Sequence, residues 1–152
     1  MNSVQRIPTL YRIMLSWVEP IFCASGTVLA MFDPTRYIDT MTPHFAYDPP
    51  VHRILLDQVG AVYLLMAFNS AVVLRVTDDL RVWKAVMGGI WLSDMLHIWA
   101  TVKELGVDAI LNPLAWRAAD LTNLGILVGM MLLRIAFIFE VGFNKEFKRK
   151  LR

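Results

Sequence analysis

Asp94 and His97 stand three residues apart inside an otherwise apolar run at 83–102. On a helix that spacing puts a carboxyl and an imidazole on one face, with Trp91 one turn further along it. Such a pair can relay a proton, or orient a general acid or base. Asp57, Asp120 and Asn123 also interrupt apolar runs, as do Glu19, Asn69 and Arg134. An ionisable group near a bilayer centre costs about 2.5–3.5 kcal/mol on insertion scales, so several in one chain demand mutual partners or a watery cavity.

The runs themselves are the elements that must position these groups. The chain has 152 residues, 57% hydrophobic and 18% charged, with a formal net charge of +2 and a mean hydropathy of +0.50. Soluble domains hold roughly 45–50% apolar residues. Apolar blocks at 13–32, 54–75, 83–102 and 118–139 each have the ~20 residues a spanning helix requires. Between them lie segments rich in Pro, Asp and Arg, such as Phe32-Asp33-Pro34-Thr35-Arg36, which resist helix continuation and hydrocarbon. A soluble bundle would need most of the chain inside, which the surface-to-volume ratio of a small domain forbids. The expectation is an all-α, single-domain, integral membrane four-helix bundle.

Counting Lys and Arg orients it. One side carries Arg6, Arg12, Arg75, Arg81, Lys84, Lys145, Lys148, Arg149, Lys150 and Arg152; the other carries Arg36, Arg53, Lys103 and Arg117. The positive-inside rule then places both termini in the cytoplasm. The basic tail at 140–152 reads as a headgroup anchor rather than a nucleic-acid site, and its dibasic ending as an address for the endoplasmic reticulum membrane. The first block carries Glu19 and lacks a small-residue cleavage site, so it reads as a retained anchor. With Cys23 the single cysteine, no internal disulfide can form, and zinc spacings and phosphate-binding glycine loops are missing. Neither a metal nor another cofactor is expected.

Helix rise sorts the polar groups by depth. Asp57, Asp120 and Asn123 lie two to five residues inside the outer ends of their spans, His97 five and Asp94 eight. These five form an expected outer set. Carboxyls crowded there in low dielectric cannot all stay ionised, so at least one is expected to act as an acid near neutral pH. Asp57 and Asp120 have a simpler reading as first-turn carboxylates, and His97 as a hydrogen-bonded core histidine. Glu19, Asn69 and Arg134 fall near the other end, Glu19 and Arg134 as a structural ion pair with Asn69 as neighbour. Gly88-Gly89 and the pair Gly125 and Gly129 read as packing surfaces. The connection 33–53 reads as a lid over the outer set or as a plain connector.

Glu19-Pro20, Asp33-Pro34, Met41-Thr42-Pro43, the stretch Trp91-Leu92-Ser93-Asp94-Met95-Leu96-His97, Asn123 and Leu133-Arg134 together resemble a family of small four-span membrane proteins of filamentous fungi that occur among secondary-metabolite enzymes. In size, span count and polar placement the chain is also similar to the small membrane epoxide hydrolases of fungal polyene-pyrone pathways. Membrane terpene cyclases share its use of intramembrane carboxyls but are larger. These resemblances imply epoxide opening on a lipophilic polyketide or terpenoid. That reaction needs a proton donor for the departing oxygen and a base directing water or an internal hydroxyl. Asp94 with His97 is the expected central pair, Asp57 or Asp120 the opposing group and Asn123 an orienting group. The competing expectation is a membrane scaffold or small-molecule carrier, and convergence of the five outer groups separates the two.

Overall fold

The computed structural model describes residues 7–77 and 79–143; of the basic tail, everything beyond residue 143 lies outside them. Every regular element described is helical. Four helices are long and apolar enough to cross a membrane: α1 (Thr9–Phe32), α3 (Pro49–Val76), α4 (Leu80–Leu105) and α6 (Ala118–Ile138). Only 22–28% of their most apolar windows is buried, so most of that surface faces outward, as hydrocarbon solvent permits and water does not. The short helices α2 (Pro34–Met41) and α5 (Val107–Leu111) lie in the connections.

Helix boundaries follow local chemistry. Asp33 caps α2, its Oδ1 accepting the Arg36 N–H at 3.2 Å, and Pro34 opens that helix with the fixed φ suited to a first turn. Pro49-Pro50 does the same for α3, which therefore begins five residues before the expected span. Asp79 caps α4 by accepting from the Arg81 amide at 2.8 Å, and the Arg81 side chain and amide hold its carboxyl below the usual range. Gly106 ends α4 at φ 84°, a conformation a side chain resists.

The bundle is tight at one end and divided at the other. At the end that holds Ile7 and Phe143, Tyr11, Leu15, Leu74, Trp83, Met87, Met130 and Phe137 form one core drawn from all four long helices. At the opposite end the buried cluster is Ala30, Tyr37 and Leu56, from α1, α2 and α3 alone. There α1 pairs with α3 and α4 with α6, while α2 lies against α1 and α6.

The close approaches within the first pair fall at Gly60 and Gly26, not at the glycines expected to pack. A Cβ at Gly60 would stand 2.7 Å from Met31 Cγ, and Thr27 Oγ1 donates to the Gly60 carbonyl at 3.1 Å. A Cβ at Gly88, Gly89 or Gly129 would meet nothing within 4 Å, and one at Gly125 only Leu121 of its own helix. Their faces point away from the neighbouring helices, so missing side chains there bring no backbone closer. Gly60→Leu is thus expected to lower stability by about 1–3 kcal/mol through overpacking, whereas Gly129→Ala leaves it unchanged or raises it; denaturation midpoints of the detergent-solubilised protein check both.

Candidate functional site

Arg134 lies in the last third of α6 and is 4% exposed. Its Nη2 stands 3.2 Å from Glu19 Oε2 on α1, and its Nη1 donates to Asp94 Oδ2 on α4. Ser70 Oγ on α3 donates to Glu19 Oε1 at 2.8 Å. All four spanning helices meet in this cluster. Two carboxyls face one guanidinium, so the group has no net positive charge.

Local sequence explains how Glu19 reaches it. Pro20 lacks the amide hydrogen that a continuing α-helix would give to the Ser16 carbonyl, and α1 widens into a π turn at Met14–Val18. The Glu19 N–H returns to the Met14 carbonyl, five residues back. Arg75 Nη2 takes up the Ser16 carbonyl at 2.5 Å, its guanidinium carbon 3.9 Å above the Trp17 ring. A second π turn, Asn69–Val73, carries Ser70 and lies against the first. Such insertions re-aim side chains and recur at functional sites.

The five groups expected in an outer set do not form one cluster. Asp94 belongs with Arg134: α4 runs from Leu80 to Leu105, so Asp94 is near its middle rather than near one end, and the long arginine side chain spans the remaining depth. Ser70, not Asn69, bonds Glu19. Asp57 pairs with Arg53 at 3.2 Å, one turn away; with α3 starting at Pro49 it is no longer in a first turn. Asp120 is in the first turn of α6, accepting from the Arg117 amide at 3.0 Å and from its Nη2 at 2.7 Å. Hydrogen bonding to Asp120 in turn raises the Arg117 guanidinium above its ordinary value.

His97 and Asn123 line a cavity of about 240 Å³ that lies between α1 and α6, and neither Asp57 nor Asp120 reaches it. Glu19 and Arg134 stand at one end of this space and Tyr37, Thr40 and Met41 of α2 at the other. The wall is mostly apolar, with Leu29, Ile126, Leu127 and Met130, and it includes Cys23. Tyr37 and Tyr63 hydroxyls meet at 3.2 Å on its side; burial pushes the Tyr37 phenol well above its ordinary value, so it remains a hydroxyl. One hydrogen bridges the pair, leaving the second phenolic hydrogen able to donate elsewhere. Asn123 Nδ2 makes a contact of 3.5 Å with Met41 Sδ.

The connection 33–53 closes that end of the cavity through α2. It is tied down twice. Arg117 Nη2 donates to the Asp39 carbonyl at 3.1 Å, and Glu104 Oε1 accepts from Thr42 Oγ1 at 2.6 Å and lies 3.0 Å from His44 Nδ1. Tyr63 and Ser70 have no assignment from the sequence, Cys23 enters there only as the single cysteine, and Tyr37 only as part of the connection 33–53. A tyrosine within an apolar span was the available signal for Tyr63; the others depend on which helices become neighbours. Among the described residues no set of three or more His, Cys, Asp or Glu is grouped to hold a metal.

Arg134→Met strands two buried carboxyls and is expected to cost about 3–5 kcal/mol, while replacing Glu19, Asp94 and Arg134 together with Leu, Leu and Met recovers most of that loss. The denaturation midpoints of the single and triple variants test this.

Residues 4–144 match the family model described as Domain of unknown function (DUF7704). Comparison with curated proteins and with solved structures finds no match. The match runs through all four long helices and every residue of the cavity, and the chain belongs to the DUF7704 family.

Proposed function

We propose that this chain is a small multi-pass membrane enzyme of fungal secondary metabolism that opens an epoxide of a lipophilic polyketide or terpenoid by acid–base catalysis. One observation carries the reading: an apolar cavity into which a carboxyl, a guanidinium, an imidazole, an amide and paired phenols all face. Opening an epoxide moves one proton onto the departing oxygen and removes one from the attacking water or hydroxyl, so an acid and a base suffice. Glu19 and His97 share these roles, since both line the cavity. Asp94, which does not, acts through Arg134 as a positioning residue. Asn123 and the Tyr37–Tyr63 pair orient the substrate oxygen, and the dry wall holds the reacting groups together. The roles expected of Asp57 and Asp120 pass to these groups.

A carrier is the second reading. What favours it is that the five outer groups do not converge, and that Arg134 already holds both carboxyls, the arrangement that structure alone requires of a buried arginine. A carrier would return the epoxide unchanged.

Cells expressing the chain and fed a panel of lipophilic epoxides are expected to form a diol or cyclic ether. His97→Gln should lower that conversion at least about a hundredfold, the usual worth of a general acid or base, at unchanged protein level, and Asp57→Asn should leave it intact. Conversion of none of the epoxides sinks the enzyme reading.

Both termini in the cytoplasm of the endoplasmic reticulum membrane complete the proposal, on the strength of the Lys and Arg asymmetry. A glycosylation acceptor placed between Thr42 and Asp48 is expected to be modified and one fused to either terminus to remain bare; the opposite pattern reverses the orientation.

A further inference from the structure

The shape and charge of the cavity say what kind of molecule fits it. It follows α1 from Glu19 to Leu29, ten residues or about 15 Å, and α6 from Thr122 to Arg134, twelve residues or about 18 Å. A volume of about 240 Å³ drawn out over that length is an elongated space. Its long side is not sealed. Phe22 and Ser25 of α1 and Thr122 and Ile126 of α6 line the cavity and are exposed on the outer surface of the bundle. That surface belongs to helices built to face hydrocarbon, so the opening looks into lipid.

The deep end adds a polarity requirement. Glu19 and Arg134 both line it, and Arg134 Nε and Glu19 Oε2 are buried there without a hydrogen-bond partner among the described residues, so this end is polar but not open to a strong charge. Glu19 and Asp94 already match the arginine's charge. An uncharged oxygen on a ligand can lie at this polar end, whereas an anionic headgroup would meet two carboxyls and gain no net attraction.

We infer that the slot between α1 and α6 takes a single extended, uncharged chain that enters sideways from the bilayer and brings an uncharged oxygen to the Glu19–Arg134 end. This deepens the proposed function, because it rests on the cavity being the substrate site, but it does not depend on epoxide chemistry. Referenced to lipid, an apolar chain gains little from burial alone. Selection therefore comes from the elongated shape, from the oxygen and from the absence of charge.

Photolabelling of the full chain in phosphatidylcholine vesicles with a straight-chain ketone bearing a diazirine tests this. The label is expected on the α1 segment 22–29 and the α6 segment 122–130. A dodecanone or dodecanol should displace it at least about tenfold better than dodecanoate or a rigid steroid ketone. Ser25→Trp, at the mouth, should remove most of the labelling, and Leu132→Trp, outside the slot, should not. Labelling spread evenly over lipid-facing positions such as Leu64, Leu92 and Leu132, or equal displacement by dodecanoate or by the steroid, overturns the inference. The ketone carries no epoxide, so the two readings fail separately. Labelling as described without epoxide conversion leaves the slot standing and removes the chemistry; conversion with evenly spread label does the reverse.

Discussion

A guanidinium in hydrocarbon has to be met by its countercharges, and in this protein that requirement draws four helices to one point. Arg134 of α6 is held by Glu19 of α1 and Asp94 of α4, and Glu19 is held in turn by Ser70 of α3. Apolar packing between helices in lipid is weakly directional, since lipid tails are as apolar as leucine. The ionic contacts are directional, and they set which helix faces which and at what height. The two adjoining π turns belong to the same constraint. One follows from Pro20 and aims Glu19, the other carries Ser70, and Arg75 closes the carbonyl that the proline leaves unpaired.

This contact also explains why the bundle holds a cavity at one end only. Towards Ile7 and Phe143 the four helices are packed together by Trp83, Phe137, Leu15 and Met87. Beyond Arg134 the helices separate into two pairs, and α2 bridges them from above, pinned by Arg117 to Asp39 and by Glu104 to Thr42. The charged cluster is the floor of the space and the tyrosine-bearing lid its roof. Polar groups therefore sit at the ends of the slot and apolar ones along it, a distribution suited to holding a chain and acting on an oxygen within it.

The polar side chains of the spans differ in what they face, and the geometry divides them. Asp57 and Asp120 are bound to arginines close by in sequence and do not line the cavity between α1 and α6. Asp94 has no contact with the cavity but determines where Arg134 points. Glu19, His97 and Asn123 do line it. The proposed reaction uses that last group, while the ion pairs explain why such polar residues can be held in an apolar bundle.

The number, length and class of the elements could be read without coordinates, because a bilayer imposes a minimum apolar length on any spanning helix and the blocks at 13–32, 54–75, 83–102 and 118–139 meet it. The level shared by Glu19 and Arg134 was also readable, since helix rise converts residue counts into depth. Depth, however, says nothing about azimuth or side-chain reach. Residue counting puts Asp94 with Asp57 and Asp120, and it names Asn69 as the neighbour of Glu19 where the folded chain uses Ser70. In the folded bundle the π turns change the facing of α1 and α3, and the arginine reaches across to mid-helix. The cavity is likewise a property of tertiary structure alone. It exists because α1 pairs with α3 and α4 with α6, and no local pattern in an apolar helix specifies its neighbour when every face is equally at home in lipid.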